Sequence, residues 1–169
     1  DKISRSRSPA LEKIVGMVGL GLMGSALSDN LLKTGYRVLG CDPDGERARE
    51  FQERGGTPVG SPAEAAGGAP VVVLSLPHSG IVREACLGEK GLAGGAGKGT
   101  LVIDTTTARP EDSAEIAAEL ENRGMAFLDA SLSGTSKMAW SRDLVAMVGG
   151  RAEDFERAQP VLNAIARKS

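Results

Sequence analysis

Apolar residues occur along the chain in short runs separated by polar stretches of helical period. The run Ile14-Val15-Gly16-Met17-Val18 predicts a strand over 13–18, and the spacing of apolar residues after it predicts a helix over about 22–34. A second strand is expected at 37–42, then a charged helix from Asp44 to Arg54 stopped by Gly55-Gly56, then a short strand at Thr57-Pro58-Val59. Ser61, Pro62 and Glu64 have the order of an N-cap, first turn and capping carboxylate, which marks a short helix at 61–66. The segment from Pro70 to Leu76 is uniformly apolar, as a parallel strand covered on both faces must be. A short helix at 80–87, a glycine-rich loop at 88–99 and a strand at 101–104 follow. Pro110 opens a helix that runs to Arg123 and is closed by Gly124. Strands at 125–129 and 144–148 and a helix at 152–166 complete the pattern.

Strands alternating with helices over this length predict an α/β fold, a doubly wound and mostly parallel sheet with right-handed crossovers. Residues 1–12 show no periodicity and read as a flexible tail or tag remnant, leaving 13–169 as one domain. Val161, Leu162 and Ile165 share one face of the last helix, and that face is expected to need a partner, either a second copy or a further helical segment.

Composition narrows the function more than the fold. A length of 169 residues with 41% hydrophobic content suits one domain with its own core. Twenty basic residues against 22 acidic ones, with no basic block beyond the tail, give no electrostatic case for nucleic acid or an anionic membrane as partner. No apolar run has the length of a membrane span and no secretory signal is evident, so a cytoplasmic location is expected. Cys41 and Cys86 lie on separate elements without metal-ligand spacing and read as free thiols.

The candidate chemistry begins where the first strand enters Gly19-Leu20-Gly21-Leu22-Met23-Gly24, a GxGxxG turn opening a helix. Gly19 suits the tight turn, Gly21 leaves room for a pyrophosphate, and Gly24 lets the helix pack on its strand. Asp42 ends the next strand, 23 residues beyond Gly19, where a carboxylate accepts hydrogen bonds from a ribose and repels a 2′-phosphate. NAD is therefore favoured as cofactor, while Arg47 and Arg49 leave NADP open. The alternative is that Asp42 only caps the turn with Pro43 and Asp44.

Four segments, in order and spacing, resemble the β-hydroxyacid dehydrogenase family that includes 3-hydroxyisobutyrate dehydrogenase and tartronate semialdehyde reductase. They are the glycine turn, Leu74-Ser75-Leu76-Pro77, Asp104-Thr105-Thr106-Thr107-Ala108-Arg109-Pro110, and Asp129-Ala130-Ser131-Leu132-Ser133-Gly134. The resemblance implies that Leu76 and Pro77 lie along the cofactor and Thr107 near the nicotinamide ribose. It implies that Ser133 and Gly134 hold the substrate, a small hydroxy acid or the corresponding aldehyde. The family's proton-transferring lysine belongs to a following helical domain, and the resemblance therefore puts it beyond Ser169. Lys168, at the end of the predicted last helix, does not match that lysine, and no catalytic residue is assigned within this chain.

Departures from the family pattern stand at Ser131 and Thr135, where Pro and a second Gly are usual, and at Trp140 and Arg142, where small residues and Gly are usual. Trp140 is expected beside the pocket, narrowing it or only packing, and Arg142 either pairs with a substrate carboxylate or sits in water. His78, the only histidine, reads as a surface residue flanking the cofactor loop. Two other readings are a non-catalytic dinucleotide-binding module and an imine reductase-like oxidoreductase; a homo-oligomer is expected.

Overall fold

The computed structural model describes residues 13–169. The expected tail at 1–12 lies outside the described residues. The elements are β1 (Ile14–Val18), α1 (Leu22–Lys33), β2 (Arg37–Cys41), α2 (Gly45–Glu53), β3 (Thr57–Pro58), α3 (Pro62–Gly68), β4 (Val71–Leu74) and α4 (Ser79–Leu87). They continue with α5 (Leu92–Gly95), β5 (Leu101–Asp104), α6 (Pro110–Glu121), β6 (Ala126–Ser133), α7 (Ser136–Trp140), β7 (Val145–Gly149) and α8 (Ala152–Ile165). The strands form one sheet in the order β3-β2-β1-β4-β5-β6-β7. All pairings are parallel except β6 with β7. The order reverses between β1 and β4, so a crevice opens there at the carboxyl ends of the strands.

Alternation along the central strands feeds two cores. Val15, Met17, Val73 and Ile103 point to the side covered by Leu27 and Leu31 of α1, Phe51 of α2, Ala139 of α7 and Leu162 and Ile165 of α8. Val18, Val72, Leu74 and Val102 point to the other side, against Ala66, Val82, Cys86, Leu92, Ile116 and Leu120. Phe51 explains two small residues: a Cβ on Gly40 would stand 2.6 Å from its ring, and one on Gly56 would stand 2.2 Å away.

Three expectations change. The predicted strand at 125–129 runs on to Ser133, because Asp129–Ser133 pairs antiparallel with Val145–Gly149. The strand expected at 70–76 ends at Leu74 as an element, since the Leu76 N–H leaves the ladder for the Thr106 hydroxyl at 3.0 Å. The face of Val161, Leu162 and Ile165 is not uncovered: all three are buried within the chain's own core, against α1 and the sheet. Among the described residues no helix is long and apolar enough to cross a membrane.

Candidate functional site

The glycine turn sits at the carboxyl end of β1. Gly19 has φ +94°, and a Cβ there would lie 2.1 Å from the Ser75 carbonyl oxygen, so both the left-handed backbone and the close approach to β4 demand glycine. A Cβ on Gly24 would fall 2.0 Å from the Gly19 oxygen, which is how α1 comes close to its strand. Gly21 differs. Its φ is an ordinary −71°, and an added Cβ would meet only Arg47 Nη1 at 3.7 Å. The space above Gly21 thus faces outward, and the first turn of α1 has no side-chain cap for its N–H groups. Uncapped amides at a helix start beside such a space suit an anionic group of pyrophosphate size. Leu20 is buried beneath the turn while Leu22 projects from it, 80% exposed, with Met23 half-buried between.

Asp42 follows β2 with its carboxylate nearly buried. Oδ2 accepts the Leu20 N–H at 2.8 Å and Oδ1 accepts the Asp44 N–H at 2.9 Å. The turn-capping role of Asp42 is therefore real, and it also locks the glycine turn to β2. Each oxygen keeps a second lone-pair site for a further donor. Beside it lies a cavity of about 280 Å³ walled by Pro43, Pro62, Leu76, Ile81 and Ala85, with the Gly19 backbone at its rim. Its walls and size suit a flat aromatic base. Pro62, Ile81 and Ala85 were not legible as site residues, because they come from the helices α3 and α4 and carry no cofactor-binding motif.

Beyond β4 and β5 the loops are tied together by polar groups that are almost wholly buried. Asp104, 2% exposed, ends β5; its Oδ1 accepts the Thr106 N–H at 2.9 Å. Thr106 in turn accepts the Leu76 N–H, and Thr105 donates its hydroxyl to the Leu74 carbonyl at 2.6 Å. Burial pushes the Asp104 carboxyl up to about 6, against the opposing pull of the Thr106 donors, with the neighbouring Asp129 raising it further. Asp104 and Asp129 are register partners on β5 and β6. Asp104 thus fixes the turn that presents Thr107, which is exposed, and through Thr106 the segment carrying Leu76 and the exposed Pro77. Sequence reasoning quoted Asp104 and Thr106 only as part of a family segment and gave neither a task; the available signal was a carboxylate closing an apolar strand before three threonines.

Ser133 is the exposed last residue of β6, and Gly134 turns the chain with φ +138° where a Cβ would strike Leu144 at 2.5 Å. The two residues where the chain departs from the family pattern nearby have local tasks. Ser131 donates to Asp129 Oδ1 at 3.1 Å, and Thr135 caps α7 by accepting the Met138 N–H at 3.2 Å. Trp140 corrects an expectation. Its ring packs under the Arg54 guanidinium, 5.8 Å from its centroid, at the C-terminal end of α2 and hence at the opposite edge of the sheet from the glycine turn. It does not narrow the cleft. Arg142 has φ +58°, and its N–H closes α7 on the Ala139 carbonyl at 3.0 Å, which accounts for glycine being usual there. His78 is exposed at the N-cap of α4, its ring over Gly80. Cys41 and Cys86 are free, buried thiols pushed up to about 12 by burial.

The last two residues are held by backbone and hydroxyl contacts. Lys168 lies past the end of α8, its backbone bridged to Val145 of β7, and its carbonyl accepts the Ala146 N–H at 2.8 Å. Ser169 follows it, exposed, and its hydroxyl accepts from Gln159 Nε2 of α8 at 3.3 Å. These contacts fasten residues 168–169 to β7 and α8.

The geometry has counterparts in known proteins. The family model of the NAD binding domain of 6-phosphogluconate dehydrogenase matches residues 14–169. Over 151 residues the chain is 34% identical to 3-sulfolactaldehyde reductase of Escherichia coli K12, covering 89% of this chain and 51% of that protein. Over 160 residues it is 39% identical to human mitochondrial 3-hydroxyisobutyrate dehydrogenase, covering 95% and 48%. The solved 3-hydroxyisobutyrate dehydrogenase of Mycobacterium tuberculosis with L-serine superposes with a TM-score of 0.88 at 35% identity, covering 94% of this chain and 53% of that one. The chain spans about half the length of the relatives it matches. With the glycine turn, Asp42 and the switch-point crevice in place, the chain belongs to the family of NAD-binding domains represented by that of 6-phosphogluconate dehydrogenase and found in the hydroxyacid dehydrogenases.

Proposed function

We propose that this chain is the cofactor half of an oxidoreductase that moves a hydride between NAD(H) and a small 3-hydroxy acid or its aldehyde form. The observation that carries the reading is the convergence at one edge of the sheet of the Gly21 space, the Asp42 carboxylate and the exposed Ser133-Gly134 turn. The names of the relatives, a 3-hydroxyisobutyrate dehydrogenase and a sulfolactaldehyde reductase, support the substrate class. When bound, the nicotinamide supplies or takes the hydride.

The chain's own residues have positioning work in this scheme. The amides of Leu22 and Met23 at the start of α1 hold the pyrophosphate, and the remaining lone pairs of Asp42 accept from the adenosine ribose. Leu76 and Pro77 lie along the cofactor, and Thr107 stands by the second ribose. The Ser133 hydroxyl and Gly134 N–H hold the polar end of the substrate, fixing its carbinol carbon for transfer. A hydride step also needs a group to give or take the hydroxyl proton. We assign that task to a lysine in the half of the relatives that this chain does not span.

Calorimetric titration with NADH tests the cofactor assignment: saturable binding is expected, and absence of heat at millimolar ligand overturns it. The substrate assignment is checked by amide NMR. Adding 3-hydroxyisobutyrate to the NADH complex should shift the Ser133 and Gly134 signals; shifts confined to other parts of the chain reject it.

A further inference from the structure

The loops that follow β4 and β5 are tied together twice. The inner tie is the Leu76 N–H on the Thr106 hydroxyl at 3.0 Å. The outer tie joins two helix starts: the Ser79 hydroxyl donates to Asp112 Oδ2 at 2.6 Å. Ser79 is the first residue of α4, and Asp112 stands in the first turn of α6. α4 begins two residues after Pro77 and α6 three residues after Thr107, so the placement of the two helix starts sets the placement of both loops. Asp112 is itself held in place. Arg109 Nε and Nη2 reach its two oxygens at 3.2 and 3.0 Å, and its side chain is only 24% exposed. The Ser79 hydroxyl and the Arg109 guanidinium hold its carboxyl below the usual carboxylate range, so at neutral pH it is an ionised acceptor and the bond from Ser79 is charge-assisted.

Neither helix depends on this bond for its own burial. α4 packs through Val82 and Cys86 and α6 through Ile116 and Leu120, and Pro110 already opens α6. Further along, Arg83 of α4 reaches Glu119 of α6 at 2.5 Å and Glu115 at 3.5 Å, which aligns the helix bodies. What the Ser79–Asp112 bond adds is a fixed separation of the two exposed residues that precede the helices, Pro77 and Thr107. We propose that Ser79 and Asp112 are positioning residues for the nicotinamide half of the dinucleotide, their hydrogen bond holding the Leu76-Pro77 and Thr107 segments at the spacing at which both engage it. They act through Pro77 and Thr107. This rests on the dinucleotide reading above.

Calorimetric titrations of NADH and of ADP against wild type, Ser79→Ala, Ser79→Thr and Asp112→Ala test the assignment. ADP carries the adenosine and both phosphates but no nicotinamide half, so its binding reports an intact fold and glycine turn in each variant. Ser79→Ala and Asp112→Ala should each weaken NADH by about threefold to tenfold and leave ADP within about twofold of wild type. Ser79→Thr, which keeps the hydroxyl, should hold NADH within about twofold. On the Asp112→Ala background, Ser79→Ala should cost nothing further, because the bond is already gone. Equal losses of NADH and ADP overturn the proposal, since they would make the bond a support of the whole domain. Unchanged NADH binding in Ser79→Ala also overturns it and leaves the dinucleotide site standing. Binding of neither ligand by wild type removes both readings.

Discussion

At Asp104 one side chain links stability to the geometry of the crevice. Burial raises its carboxyl from 3.8 to about 6, so between those values the folded chain holds a proton that the unfolded chain has released. Stability from this group is therefore full below about pH 4 and falls as pH rises through 6, by roughly 2–3 kcal/mol. Asp104→Asn keeps the acceptor for the Thr106 N–H without the buried charge. Relative to wild type, it should gain about 2–3 kcal/mol between pH 4 and pH 7 in urea unfolding, and a pH-independent difference would refute the assignment. Arg142 is strained through its backbone instead. Its φ of +58° costs an L-residue about 1 kcal/mol, so Arg142→Gly should raise the melting temperature by roughly 2–4 °C. A lower melting point would mean that the arginine side chain makes a contact worth more than the strain.

At the scale of elements, α8 shows what periodicity can and cannot reveal. Its apolar stripe was legible, but whether the stripe meets this chain or another depends on non-local packing, and Leu162 is wholly buried against the α1 side of the sheet. Leu162→Ala should therefore cost about 2–5 kcal/mol in the stability of the chain itself, seen as a lower urea midpoint that does not vary with protein concentration. The expectation of self-association loses the face on which it was built. The inner strands β1, β4 and β5 were readable because a strand covered on both faces writes itself as an unbroken apolar run, and the longer helices because of their period and end signals. The β6 extension and α7 were not read: Asp129–Ser133 has the alternation of a half-covered strand but its pairing with β7 is non-local, and α7 is only five residues long. The α5 turn, Leu92–Gly95, was hidden by its own composition; glycine is needed where a Cβ on Gly95 would lie 1.9 Å from the Ala63 oxygen. In the candidate site, the glycine turn and Asp42 were legible because one contiguous strand–helix–strand unit carries them. Asp104 acts through neighbours brought up by the fold, and Trp140 was misplaced because α7 was not foreseen.

On the scale of the whole molecule, the cofactor cradle exists only when several strand ends meet. The Gly19 N–H donates to the Cys41 carbonyl at 3.0 Å, Leu20 to Asp42, and Leu76 to Thr106, so β1, β2, β4 and β5 each fix part of it. No local fragment reproduces that arrangement, and a ligand held there stabilises the folded state as a unit. With NADH at about 100 times its Kd the gain is about 2.7 kcal/mol, which for a chain of this size raises the melting temperature by roughly 5–11 °C. Gly21 separates this effect from folding. Unlike Gly19 and Gly24, whose added Cβ atoms would collide with backbone, Gly21 has an ordinary φ and only the Arg47 side-chain end nearby. Gly21→Val should thus melt within about 4 °C of wild type without ligand, the small loss being that of a poorer helix cap. Its side chain fills the space left for the pyrophosphate, so NADH should raise its melting temperature by less than about 1 °C at the same concentration. A Gly21→Val chain stabilised by NADH as strongly as wild type would show that the phosphates bind elsewhere, however well the rest of the crevice is formed.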